Sequence, residues 1–282
     1  MLFSANPPSR ITRTALPSGI ALFTQHWEPA SSPIGTVLIV HGYAEHSGRY
    51  GHVATALQQA GYAVTAYDQR GFGRSPGERA LVWNLDLLCE DLAAMAAHLR
   101  NKADGPLFVL AHSMGGLVAL RTALHPGLPV DGAVLSAPAL SVEASVPRAL
   151  LAVADAVSRY LPALPTVGAV ENGISRDVHV LADAAADPLN YQGRVPARTG
   201  IEILRGGQRV RANAADITLP YLLVQGTADP IVDPAGSVSF HEQSGAPDKT
   251  MKRYEGLRHE VLNEPEHDVV IGDIQTWLKA HT

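Results

Sequence analysis

Short runs rich in β-forming residues, ending on glycine or a polar residue, alternate along this chain with longer stretches of helical character. The runs cover residues 36–40 before His41-Gly42, 63–67 before Asp68, and 107–110 before Ala111-His112-Ser113. Three more cover 130–135 before Ser136-Ala137-Pro138, 221–224 before Gln225-Gly226, and 249–254 before Glu255-Gly256. Most lack apolar–polar alternation, which suits strands covered on both faces, as in a parallel sheet. The spacing between them predicts helices over 50–60, 85–100, 114–124, 234–243 and 265–280, with Gly61 and Gly127 placed to end two of them. Residues 12–16 and 20–26 flank Pro17-Ser18-Gly19 and read as a leading hairpin. This alternation predicts an α/β fold on an open, mostly parallel sheet.

The pattern breaks between about 139 and 216. Helices are expected over 146–160 and 198–211, with no strong strand between them. A gap of about 80 residues is too long for an ordinary loop. It reads as a helical insertion over the sheet's C-terminal edge, with 1–138 and 217–282 forming the core and 139–216 the lid.

Composition narrows the possibilities. With 46% hydrophobic and 17% charged residues, the chain carries enough apolar matter for a sizeable core and is not wholly disordered. Its 22 basic against 27 acidic side chains give a net charge of −5, which offers no basic stripe for nucleic acid. Cys89 is the only cysteine, so neither an intrachain disulfide nor a multi-cysteine zinc site can form. Residues 1–10 lack a basic segment followed by an apolar one, and no run reaches the ~18 apolar residues of a membrane span. The expectation is a soluble protein of a reducing compartment, the cytoplasm.

Candidate chemistry centres on Ser113. The segment Leu107-Phe-Val-Leu-Ala-His-Ser-Met-Gly-Gly116 joins a predicted strand to a predicted helix and sets the serine in the turn. Small residues at 111, 115 and 116 let two backbones approach. This is the nucleophile-elbow pattern G-x-S-x-G, with Ala111 in place of the first glycine. A bland alternative is a strand–helix turn with Ser113 as helix cap. A free hydroxyl is a poor nucleophile at neutral pH and needs a base.

In an α/β-hydrolase the partners follow in the order serine, acid, histidine. Asp229 stands just past a strand end, where function in open sheets concentrates. Asp233 is its rival, placed where a carboxylate can simply cap the next helix. Among the 12 histidines, His259 falls in the loop between the last strand and the last helix, a route back toward Ser113. His241 and His267 lie in predicted helices and read as surface residues. The expected oxyanion donors are the backbone amides of Tyr43, after the first long strand, and Met114, after the nucleophile. His41, Glu45 and His46 do not match the helical H-E-x-x-H metal pattern, and the triad chemistry calls for no metal or cofactor.

The sequence as a whole resembles the monoacylglycerol lipase and lysophospholipase branch of the α/β-hydrolases. The resemblance runs through His41-Gly…Glu45-His-Ser-Gly-Arg49-Tyr50, Asp68-Gln-Arg70-Gly-Phe-Gly-Arg-Ser75-Pro-Gly77 and Ala111-His-Ser-Met-Gly-Gly116. It continues through Ser136-Ala-Pro138, Ile174-Ser-Arg-Asp177, Asp187-Pro-Leu189, Gln225-Gly-Thr-Ala-Asp229 and Tyr254-Glu-Gly…His259, nearly the whole chain. It implies a serine esterase with a lid, acting on lipid esters with one acyl chain and a small polar head. It also implies Glu45 as a polar pocket residue near that head, the alternative for Glu45 and Arg49 being a loop salt bridge. Two positions depart from the family's usage: Ala111, where glycine is usual, and Phe72, where histidine is frequent.

Other features are set aside. Gly71-Phe-Gly-Arg-Ser-Pro-Gly77 looks like a dinucleotide loop, but Pro76 interrupts the helix opening and Asp91 falls inside a predicted helix. Cys89 on that helix reads as a buried apolar residue. The sparsely charged stretch 146–157 suits packing over the pocket, or a transient contact with a membrane or micelle surface. Competing functions are a general carboxylesterase or lysophospholipase with the same triad, and a non-catalytic ligand sensor. A dehalogenase or epoxide hydrolase needs a carboxylate where Ser113 stands.

Overall fold

The computed structural model describes residues 5–124, 128–142, 157–166 and 173–282. Eight strands form one sheet: β1 (Arg10–Ala15), β2 (Ala21–Trp27), β3 (Gly35–Val40), β4 (Tyr62–Tyr67), β5 (Leu107–His112), β6 (Gly132–Ser136), β7 (Tyr221–Gly226) and β8 (Lys249–Tyr254). Their order is β1-β2-β4-β3-β5-β6-β7-β8. The leading hairpin pairs antiparallel and joins β4 antiparallel, while every later pairing is parallel. This is the open, mostly parallel α/β sheet with a leading antiparallel hairpin that the alternation of runs and helices predicts.

Helices cover both faces, and the side-chain alternation of the central strands divides accordingly. Leu38 and Val40 of β3 and Leu107, Val109 and Ala111 of β5 join one buried cluster. It includes α2 (Leu85–Arg100), α3 (Met114–Ala123) and α6 (Pro234–Gln243). Val37, Ile39, Phe108 and Leu110 point the other way, toward α1 (Gly51–Gln59) and α7 (His267–Ala280). Phe108 meets Trp277 of α7 edge-on, ring centroids 6.0 Å apart. Burial of such side chains contributes about 1.5–3 kcal/mol each, and both faces being apolar explains why these runs do not alternate in sequence.

Local signals set the helix ends. Asn84 caps α2 by accepting from the Asp86 amide, and Asp233 caps α6 through the Ala235 amide, with Pro234 in the first turn. After α1 the chain turns at Gly61, φ +97°. Gly127 lies outside the described residues. Expected boundaries shift by a residue or two. β6 begins at Gly132, after Asp131, whose carboxylate accepts from the Leu107 amide and pairs with Arg100. The last helix begins at His267, after a separate 3₁₀ turn over Val261–Asn263.

Between β6 and β7 lie α4 (Val178–Ala186) and α5 (Ala197–Ala212). The helix expected over 198–211 is α5. That expected over 146–160 lies largely outside the described residues, although 157–160 are helical. The two-turn α4 was not expected: only Val180 is buried on it, too little to give a legible apolar stripe. Its signal was Asp177, whose carboxylate caps the His179 amide.

Candidate active site

Ser113 sits where β5 turns into α3. Its backbone adopts φ +51° and ψ −116°, strained for a non-glycine residue, and its side chain makes no capping bond to α3. The helix-cap alternative therefore fails: the hydroxyl is turned out of the helix. A Cβ at Gly115 would lie 2.5 Å from the carbonyl oxygens of both Val40 and His41, and one at Gly116 would lie 2.9 Å from Pro138 Cβ. The turn is that tight because it is wedged between the ends of β3 and β6. Ala111 is fully buried, so its methyl fits where the pattern has glycine.

The C-terminal ends of β7 and β8 bring the other two groups. The Ser113 Oγ lies 2.8 Å from His259 Nε2, and His259 Nδ1 lies 2.8 Å from Asp229 Oδ2. An ionised carboxylate only accepts, so the proton is on Nδ1 and Nε2 is left to accept from the hydroxyl. Asp229 Oδ1 accepts from the amides of Ile231 and Val232, and Oδ2 also from Gln225 Nε2 at 3.0 Å. Asp233 is an exposed helix cap instead.

These charges shift one another. Burial works to lower the His259 pKa, but the charge and hydrogen bond of Asp229, with Glu260 and Glu45 beyond, leave it above its ordinary value. Burial tends to raise Asp229, and His259 with the two amides carries it below its ordinary value. The pair is thus biased toward imidazolium and carboxylate, the form needed once a proton has left the serine.

Beyond β3, Gly42 gives the loop close access to Ser113: a Cβ there would lie 3.1 Å from Ser113 Cβ. Tyr43 follows, its ring edge-on against Phe72 and Tyr191 at 5.6 and 6.3 Å. Phe72, the position at which histidine is frequent, fills that apolar contact. Among the described residues no protein group takes the amide of Tyr43 or Met114.

Glu45 makes the loop salt bridge that is the alternative to a pocket role. Its Oε1 accepts from the Gly42 amide at 2.6 Å and the Tyr50 hydroxyl at 2.8 Å, and its Oε2 pairs with Arg49 at 3.1 Å. It is 4% exposed, with both oxygens engaged in the loop. His41 and His46 are also committed: the first bridges Gly42 O and the Gln69 amide, the second donates to Asp187.

Comparison with known proteins decides the relationship. The family described as "Serine aminopeptidase, S33" matches residues 31–266. The chain belongs to this family. A monoacylglycerol lipase of Mycolicibacterium smegmatis is 37% identical over 265 residues, covering 93% of this chain and 94% of the relative. The human monoglyceride lipase is 32% identical over 270 residues, 94% of this chain and 88% of that one. The crystal structure of the monoacylglycerol lipase of Paleococcus ferrophilus superposes with a TM-score of 0.83 at 30% identity, over 93% of this chain and 99% of that one. This S33-family chain is accordingly a serine hydrolase.

Sequence reasoning missed the groups around the triad. His112, beside the nucleophile, tilts its ring against His259 with centroids 4.7 Å apart, its Nδ1 by Ser136. Gln225 is held by the Ser237 hydroxyl while it donates to Asp229. Glu260, next to His259, grips Arg49 through two bonds of 2.6 and 2.8 Å. Both His112 and Gln225 stood inside recognised motifs; the contacts of His112 depend on β6 and the His259 loop, distant in sequence, whereas those of Gln225 lie in the loop and helix that follow its own strand. Arg70, at the edge of the glycine-rich loop, pairs with Asp91 of α2, which gives that loop a structural role.

Proposed function

We propose that this chain hydrolyses carboxylic esters, with monoacylglycerols as the leading substrates and free fatty acid and glycerol as products. Ser113 is the nucleophile, His259 the general base and then acid, and Asp229 the group that holds the imidazole. Residues 139–216 form a helical lid over a core of 1–138 and 217–282. The hydrogen-bonded line from Asp229 through His259 to Ser113 carries the reading. The substrate class rests on the likeness to lipases of known name and on the sparse charge of residues 146–157.

In the first half-reaction the Ser113 proton passes to His259 Nε2 as Oγ bonds to the ester carbonyl carbon. The amides of Tyr43 and Met114 receive the negative oxygen. Collapse breaks the bond to the glyceryl oxygen, which leaves with the proton from Nε2. Water then gives a proton to Nε2 and adds to the acyl carbon, and the carbon–Oγ bond breaks as Oγ regains the proton. No cofactor enters. Among the described residues no helix is long and apolar enough to cross a membrane, and we place the enzyme in the cytoplasm, with the lid touching lipid surfaces from the side.

The test compares kcat/KM on monoacylglycerols, lysophospholipids and short p-nitrophenyl esters, alongside fluorophosphonate labelling. A monoacylglycerol preference with label on Ser113 is expected. Preference for a lysophospholipid overturns the glycerol assignment, and absence of label on folded protein favours a ligand sensor.

A further inference from the structure

Two buried carboxylates and a half-buried guanidinium lie behind the triad and take no direct part in the steps above. Arg49 lies between two carboxylates: its Nη1 is 2.6 Å from Glu260 Oε1 and 3.1 Å from Glu45 Oε2, and its Nη2 is 2.8 Å from Glu260 Oε2. Glu45 and Glu260 are 4% and 5% exposed. Burial raises the Glu260 pKa, but Arg49 overrides it and brings the carboxyl to about 2, so the group is ionised at any working pH. Burying these charges is costly, and a well-packed apolar trio holds two loops together as firmly. What the ions add is direction.

At one end of the chain of bonds is the oxyanion loop. Glu45 accepts from the Gly42 amide at 2.6 Å, fixing the peptide before Gly42. His41 Nδ1 donates to the Gly42 carbonyl at 2.7 Å, fixing the peptide after it. That second peptide carries the Tyr43 N–H, and in a trans peptide pinning the C=O aims the N–H the opposite way. At the other end, Glu260 adjoins His259 in sequence. Its amide donates to Ile174 O at 2.7 Å, and its Oε2 also accepts from Asn263 at 2.8 Å. One guanidinium therefore ties two loops 211 residues apart in sequence.

We infer that Glu260, Arg49 and Glu45 are positioning residues that yoke the His259 loop to the Tyr43 loop, setting the base and one oxyanion donor in register. This rests on the ester-hydrolase reading. The charged or titratable groups facing His259 are Asp229 beyond β7, His112 at the end of β5, Glu260 beside it, and Glu45 with Arg49 from the oxyanion segment.

The experiment uses the full chain and the variants Glu260→Gln, Glu45→Gln and Arg49→Lys. Each is measured for kcat and KM on a soluble ester, inhibition by an alkyl trifluoromethyl ketone that forms a tetrahedral adduct on serine, and thermal melting. We expect kcat to fall about tenfold with KM within about twofold, and ketone affinity to weaken by a similar factor, as befits a loss confined to the transition state. Glu260→Gln should also move the acid limb of kcat/KM to lower pH, because a negative charge near the imidazolium is gone. Should Arg49→Lys not fold, the isosteric Glu260→Gln carries the test. Folded variants with wild-type kcat and ketone affinity overturn the yoke, as do losses that merely track the unfolded fraction. If the wild-type protein neither cleaves the ester nor binds the ketone, the ester-hydrolase reading itself fails.

Discussion

The ring of His112 rests against the ring of His259, centroids 4.7 Å apart and planes at 53°. Two imidazoles in contact are compatible with catalysis only if one stays neutral. Burial, assisted by the nearby His259, lowers the His112 pKa to about 4, whereas His259 is held above its ordinary value. The base acts in its neutral form, so kcat/KM should rise with pH through a single limb lying above pH 6.5, the ordinary imidazole value. A profile of kcat/KM from pH 4.5 to 9 checks this, and a second acid limb that disappears in His112→Phe counts against it.

The same shifts affect stability, with opposite signs. Because His259 has a raised folded pKa, its stabilisation is complete below its unfolded value of 6.5 and fades as pH rises through the folded value. Asp229 is depressed, so its contribution is present above 3.8 and fades as pH falls through the lower folded value. Replacing His259 by Gln should flatten the first dependence in melting curves recorded between pH 5 and 9, and weaken the second in curves recorded below pH 5, because His259 supplies the largest lowering of Asp229.

Asp229 and Asp233 separate cleanly by substitution. Asp229→Asn leaves Gln225 and two amides facing a neutral group and lets His259 take the wrong tautomer. A loss of about ten-thousand-fold in kcat is expected. Asp233→Ala should cost about 1 kcal/mol of stability through the lost cap of α6, with kcat unchanged. Steady-state kinetics and urea unfolding of both variants decide which aspartate serves the triad.

Gly115 offers a steric test. A methyl group there would press on two backbone carbonyls at 2.5 Å, atoms that cannot rotate away. Gly115→Ala should destabilise the protein by about 1–3 kcal/mol and displace the elbow, lowering kcat more than it raises KM. Ala111→Gly, by contrast, removes a methyl that already fits, and should lower the melting temperature slightly while keeping turnover. Melting temperatures and kinetics of the pair test whether the tight side of the turn is at 115 rather than 111.

The apolar runs revealed the sheet because parallel strands covered on both faces must be apolar throughout, and the elbow because its close approaches demand small residues. Strand ends were less legible, since Asp131 looks like part of a strand until its carboxylate is seen bonding to β5. Glu45 was open for a related reason: a loop carboxylate beside a site reads as a pocket group or a salt bridge alike, and only the folded loop shows both its oxygens engaged. Glu260 was silent, because Arg49 lies across the fold and leaves no local spacing to read; Gln225 was passed over because a neutral amide four residues before the acid carries no chemistry until its bond to Asp229 is seen.

The 146 positions that separate Ser113 from His259 also bear on the order of synthesis. The strained serine turn belongs to strands made early, whereas its aspartate and imidazole arrive on β7 and β8, the last two added at one border of the sheet. A chain that stops short of residue 259 would therefore carry the serine turn without the imidazole that activates its hydroxyl.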